Sequence, residues 1–133
     1  GGLPMGAVLM GEKVEQVLGP GDHGSTFGGN PVCAAGACSV LERLDDQLMA
    51  DVQRKSALIR TVLENAAGVK GVTGMGLMLG VATERPAGEV AKDCLADGLL
   101  VLTAKTKVRL LPPLNIPDEQ LLKGLAILKR HLI

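Results

Sequence analysis

The sequence has no tryptophan, no tyrosine and a single phenylalanine, Phe27. Platforms that stack nucleic-acid bases on aromatic rings are therefore excluded. Any core must be assembled from Leu, Val, Ile, Met and Ala. An excess of one charge is also missing. Fourteen basic residues balance fourteen acidic ones, which removes the electrostatic case for nucleic acid or an anionic membrane. Cysteine is scarce and odd in number: Cys33, Cys38 and Cys94, with no CxxC pair. That argues against a disulfide framework and a zinc site, fits a reducing cytosol, and reads all three thiols as small buried hydrophobes. No apolar run approaches the roughly 18 residues of a membrane span, and no signal-peptide pattern opens the chain. A cytoplasmic protein without nucleic-acid or membrane partners is expected.

What is present is a chain of 133 residues, long enough for one domain with a real core. It opens at Gly1 on GGLPMGAVLM, a turn that runs straight into an apolar stretch, as if entered in mid-domain. Met5 to Met10 reads as a buried strand of a parallel sheet. Glu12 to Leu18 reads as a short helix stopped by Gly19-Pro20-Gly21. Asn30 followed by Pro31 is a helix start, a cap and a first-turn proline, before the small-residue run VCAAGACSVLERL. Asp45-Asp46 breaks that run and can start a second helix. In it Leu48, Val52, Ile59 and Leu63 share one face, with Lys55, Arg60 and Glu64 elsewhere, and it ends near Gly68.

The texture then changes. VKGVTGMGLMLGVATE mixes β-branched residues with glycines and reads as a strand with a turn or bulge. Pro86 precedes a short helix with a Val90, Ala91, Cys94 and Leu95 stripe and Gly98 at its C′ position. LLVLTA and KVRLLPP are two strands joined at Lys105-Thr106, a hairpin. The last helix opens at Pro117, Asp118 and Glu119, with Leu121, Leu125, Leu128 and Leu132 facing inward. The expected fold class is mixed α/β. Residues 46–133 form an α+β unit, a small sheet of about three strands covered by helices. Residues 1–45 form a strand, loop and helix belonging to something larger.

Three segments could carry chemistry. The first is DHGSTFGGNP, residues 22–31. Its glycine-freed N–H groups, with the Ser25 and Thr26 hydroxyls, could cradle a phosphate or oxyanion, or the loop could simply turn and cap the next helix. His23 could act as a base, but no carboxylate stands in register and a structural role fits it better. The second is Arg109 in VRLLPPL. A guanidinium among apolar residues must be paired or face a cleft, and its fork suits a carboxylate; an edge-strand arginine facing solvent is the alternative. The third, GMGLMLG, is read as packing rather than as a substrate wall. Asp45-Asp46 is read as a helix cap or as solvated charges, not as an acid/base dyad.

Taken together, GGLPMGAVLM, HGSTFGGNPVCAAG, GLMLG and VRLLPPLNI resemble, in order and spacing, the class III pyridoxal-phosphate aminotransferases, nearest to the acetylornithine branch. The resemblance covers essentially the whole chain. It implies the C-terminal portion of a fold-type I transaminase, a homodimer with its active sites at the subunit interface. By position, Thr26 would bond the cofactor phosphate held mainly by the second subunit, Ser25 would lie at the substrate, and Arg109 would clamp the α-carboxylate of the amino or 2-oxo acid. Residues 1–45 would be a remnant of the large cofactor-binding domain and residues 46–133 the small C-terminal domain.

One departure carries weight. The family's Schiff-base lysine lies a few residues before GGLP, typically as K-x-L-G-G-G, which puts it upstream of Gly1. Its ring aspartate, stacking aromatic and phosphate turn lie further upstream. No lysine here takes that position; Lys13, in MGEKVEQ, is a poor substitute. No catalytic residue is therefore assigned within the chain. The polypeptide alone is expected neither to transaminate nor to bind pyridoxal phosphate well. The implied reaction of the full enzyme moves an amino group from N-acetylornithine to 2-oxoglutarate in arginine biosynthesis. Ornithine, succinylornithine or 4-aminobutyrate aminotransferases are the alternatives, as is a stand-alone binding module that uses the small-domain fold without catalysis. In the isolated chain, residues 1–45 are expected to expose Val8, Leu9 and Val32 and to be mobile, swap or associate.

Overall fold

A computed structural model describes residues 2–133, which divide into two units at Asp45/Asp46. Gly1 lies outside the described residues. It is the residue upstream of which the sequence reading puts the Schiff-base lysine, and the one from which that reading starts the large-domain remnant.

In the first unit the only regular element among the described residues is α1 (Pro31–Leu41). Its start follows the sequence reading: the Asn30 side chain accepts hydrogen bonds from the Val32 and Cys33 N–H groups at 3.0 and 3.2 Å. Gly36 takes the Leu3 side chain against the helix, where a Cβ would collide with the leucine Cδ1. Upstream, the structure corrects two expectations. Met5–Met10 has no regular structure and joins no ladder, and Val8 and Leu9 are 85% and 99% exposed. A strand exists through its hydrogen bonds to a neighbour, and this unit supplies none. Glu12–Leu18 is a series of turns, closed by Val14 N–H to Gly11 O and Val17 N–H to Val14 O. Seven residues between glycines are too few to repay helix nucleation.

The second unit is built on α2 (Asp46–Glu64), β1 (Val69–Met75), β2 (Met78–Thr83), α3 (Ala87–Ala96), β3 (Leu102–Ala104), β4 (Lys107–Leu110) and α4 (Asp118–Arg130). The sheet has four antiparallel strands, rather than about three, in the order β1-β2-β4-β3. The extra strand comes from the segment read as one strand with a turn or bulge, which contains both. It folds at Gly76-Leu77 into the β1–β2 hairpin, and its register slips between Val69 and Gly71. The Lys105-Thr106 hairpin forms as expected, with Lys105 in the left-handed region at φ 55°.

Alternation along the strands sends Leu79, Val81 and Thr83 of β2 and Val108 and Leu110 of β4 to one face. There they meet Val52, Ile59 and Leu63 of α2, Val90 and Cys94 of α3, and Leu121, Leu125 and Leu128 of α4, with Leu132 just beyond. This is the sheet-and-helix layer anticipated, hydrophobic on the covered face. Two side chains depart from the expected pattern. Leu95 of α3 is 59% exposed while Ala87 is buried, so the apolar stripe is narrower than drawn. Lys55 is buried because its stem lies along the core and its ammonium pairs with Asp51, a long cation covering apolar surface.

The ends of the elements are closed by specific bonds. At the α3 terminus the Leu99 N–H reaches the Cys94 carbonyl and the Gly98 N–H the Leu95 carbonyl. Gly98, at φ 82°, supplies the left-handed residue this Schellman stop requires. The free edge of β1 is blunted by Arg60, whose guanidinium donates to the Val72 and Gly74 carbonyls at 3.0 and 2.9 Å, satisfying acceptors that would otherwise invite another strand.

Arg54 ties α2 to the start of α4. It donates to both Asp118 oxygens at 2.8 and 2.7 Å, and to Asp51. Arg54 holds the Asp118 carboxyl below the usual carboxylate range, and Lys55, then Arg54, do the same for Asp51. A carboxyl depressed in the folded state stabilises above its unfolded pKa and stops doing so as pH falls through its folded pKa. This contribution is therefore expected to be complete down to about pH 4 and to disappear below it. A carboxyl NMR titration should show Asp118 returning toward its ordinary value in Arg54→Gln. An unchanged Asp118 titration would remove Arg54 as the cause.

Candidate functional site

Ser25 and Thr26 sit together in a turn of the first unit. Gly28 N–H closes it onto the Ser25 carbonyl at 3.2 Å, and Gly28 packs against the Ser25 side chain, where a Cβ would stand 3.2 Å from Ser25 Cβ. Gly29 follows at φ 69° and delivers the chain to the Asn30 cap. Part of the loop's glycine content is thus spent on the turn and the cap. Both hydroxyls remain exposed, without a hydrogen-bond partner among the described residues. Such a hydroxyl has a donor to offer a phosphate oxygen. His23 is exposed and likewise has no partner among the described residues. Phe27, the one aromatic, is 82% exposed beside them.

Arg109 stands in the second unit on β4, an interior strand between β2 and β3, opposite Gly80 on one side and Leu102 on the other. Val108 and Leu110 point into the core, so by the strand period Arg109 belongs to the opposite face. Arg109 is therefore not an edge-strand residue. Its Nε is buried and has no hydrogen-bond partner, the one such buried side-chain atom among the described residues. A buried N–H without an acceptor is costly. A cavity of about 280 Å3 reaches the Arg109 position, but its wall includes the core residues Ile59, Leu121, Leu125 and Leu128, so it lies on the covered side of the sheet. Burial of Nε lowers the local dielectric and strengthens attraction between the guanidinium and an anion. An arrangement of this kind can receive a carboxylate.

GMGLMLG proves to be mainly hairpin, and Gly80 at its end pairs with Arg109 across the ladder. Sequence reasoning passed over Lys107, two residues before Arg109 and on the same face of β4. The signal was available in the period-two alternation of KVRL. Among the described residues no group of His, Cys, Asp and Glu could hold a metal ion, and no helix is long and apolar enough to cross a membrane. Of the cysteines, Cys94 is buried, Cys33 partly so, and Cys38 exposed; the expectation of three buried thiols holds for Cys94 alone. Burial pushes the Cys94 thiol up, with Asp93 and Asp97 adding to it, which makes it inert packing.

The family model for class III aminotransferases matches residues 1–132. An acetylornithine aminotransferase of Haemophilus ducreyi is 47% identical over 99% of this chain and 34% of its own length. A solved acetylornithine aminotransferase of Elizabethkingia anophelis superposes with a TM-score of 0.72 at 31% identity, over 87% of this chain and 33% of that one. The ornithine δ-aminotransferase of Plasmodium falciparum gives a TM-score of 0.76 at 29% identity, over 93% and 35%. The chain thus spans about a third of the length of these relatives. With a family match running over nearly all of its residues, the chain belongs to the class III aminotransferases, a pyridoxal-phosphate-dependent family.

Proposed function

We propose that this chain is the C-terminal share of an acetylornithine-type aminotransferase, in which Arg109 binds the α-carboxylate of both the amino donor and the 2-oxo acid acceptor. The observation that carries the reading is the buried, unpartnered Nε of Arg109 on an interior strand. A bidentate carboxylate would satisfy that donor and gain a charge-assisted bond in a poorly solvated setting. Thr26 would hold one oxygen of the cofactor phosphate through its free hydroxyl, and Ser25 would contact the substrate. Pyridoxal phosphate, when bound, supplies the electron sink for amino transfer. The protein residues here orient the substrate by its carboxylate and help anchor the cofactor. Residues 1–45 then belong to a large cofactor-binding domain and residues 46–133 to a small C-terminal one, in a cytoplasmic homodimer.

Thr26, Ser25 and Arg109 bind and orient, and none of them forms a covalent bond to the cofactor, so these three groups by themselves are expected to give neither turnover nor tight cofactor binding. The identity with acetylornithine aminotransferases favours N-acetylornithine as donor and 2-oxoglutarate as acceptor. The structural likeness to an ornithine aminotransferase supports ornithine as the second reading. An amino-transfer assay with these donors separates the two: turnover of ornithine in preference to N-acetylornithine would move the assignment.

A further inference from the structure

Lys107 has no role in the reading above, yet its placement is specific. Its stem crosses Gly80, whose Cβ, if present, would stand 3.2 Å from Lys107 Cδ. Nζ ends on the Thr73 hydroxyl of β1 at 2.8 Å, and that hydroxyl contacts the Gly80 carbonyl at 3.4 Å. The missing side chain at Gly80, directly opposite Arg109, is what lets the lysine lie across β2. Lys107 and Arg109 are two residues apart on one strand face, roughly 7 Å along β4. The four strands carry Lys70, Lys107 and Arg109 and no Asp or Glu. Among the described residues neither Lys107 nor Arg109 has a carboxylate at ion-pair distance. Elsewhere Arg54, Arg60, Arg85 and Arg130 all pair with acids. The uncovered face of the sheet therefore holds two adjacent cations with no countercharge of their own.

We propose that Lys107 is a specificity-determining residue that makes this face prefer a short-chain dicarboxylate, bound at Arg109 by one carboxylate and drawn by Lys107 at the other. The inference rests on the reading of Arg109 as the carboxylate site. Arg109 provides the directional, desolvated contact. Lys107 provides a hydrated point charge, held off the strand by Thr73 and able to meet a second carboxylate. The selectivity belongs to the difference in charge between ligands and is screened by salt.

The test is an NMR titration of the 133-residue chain with 2-oxoglutarate and, separately, with 2-oxobutyrate, at low and high salt. The unsubstituted chain should bind the dicarboxylate about threefold or more tightly. Lys107→Met should bring that ratio close to one while leaving 2-oxobutyrate binding unchanged, and Lys107→Arg should retain the preference. Arg109→Gln should weaken both ligands alike. A dicarboxylate preference that survives in Lys107→Met, or is absent from the unsubstituted chain, overturns the proposal. Unchanged binding of both ligands in Arg109→Gln overturns the Arg109 reading itself, and the inference about Lys107 with it. A purely structural role for Lys107 would alter both ligands equally and would not depend on salt.

Discussion

In an enzyme carrying this sequence, Arg109→Ala is expected to raise the KM for both the amino donor and the 2-oxo acid by about ten- to a hundredfold. A hydrogen bond to a charged group contributes roughly 1.5–3 kcal/mol, and each 1.4 kcal/mol is a factor of ten. Both substrates suffer because both present the same α-carboxylate to the same guanidinium. Arg109→Lys should recover only part of the loss. Lysine keeps the charge but cannot reproduce a planar two-point contact. The fold itself should tolerate either change, since Arg109 faces away from the core and its Nε has no internal bond to lose. Steady-state kinetics decide the matter, and unchanged KM values would take the clamp role away from Arg109.

The second large effect is on stability. Ile59→Ala in α2 is expected to destabilise the 46–133 unit by about 3 kcal/mol, within the range for truncating a buried aliphatic side chain. Ile59 is fully buried, in the layer where helix side chains meet Leu79 and Val81 of the sheet. Truncation removes transfer energy and leaves a cavity that a close-packed interior fills poorly. For a unit of this size the melting temperature should drop by roughly 12–24 °C. Leu95→Ala is the matched control. It removes a similar volume from a position 59% exposed and should cost no more than about 0.5 kcal/mol. Equal losses in thermal unfolding would mean that α3 packs through a wider stripe than the structure shows.

The sequence was most informative where local chemistry and burial point the same way. The Asn30 cap, the Gly98 stop, the Lys105-Thr106 hairpin and the inward leucines of α4 each follow from a local rule that tertiary contacts then reinforce. Met5–Met10 failed for the opposite reason. An apolar run says that burial is wanted, but a strand needs a neighbouring strand, which a one-dimensional pattern does not supply. Lys55 was placed with the polar residues because charge normally means solvent. Its ion pair with Asp51, one turn away, lets the stem be buried. Within the site, Arg109 stood out as a charge in an apolar strand. Lys107 did not, because its meaning depends on the register that sets Gly80 beneath its stem and Thr73 at its head.

Amino transfer from N-acetylornithine to 2-oxoglutarate, with pyridoxal phosphate supplied, is the most direct measurement. It should be made on the 133-residue chain alone and on the same chain joined, ahead of Gly1, to a lysine-bearing class III large domain. The predicted result is no turnover by the chain alone, and turnover by the joined protein that is faster with N-acetylornithine than with ornithine or 4-aminobutyrate. Robust turnover by the chain alone, or a joined enzyme that favours 4-aminobutyrate, would contradict it.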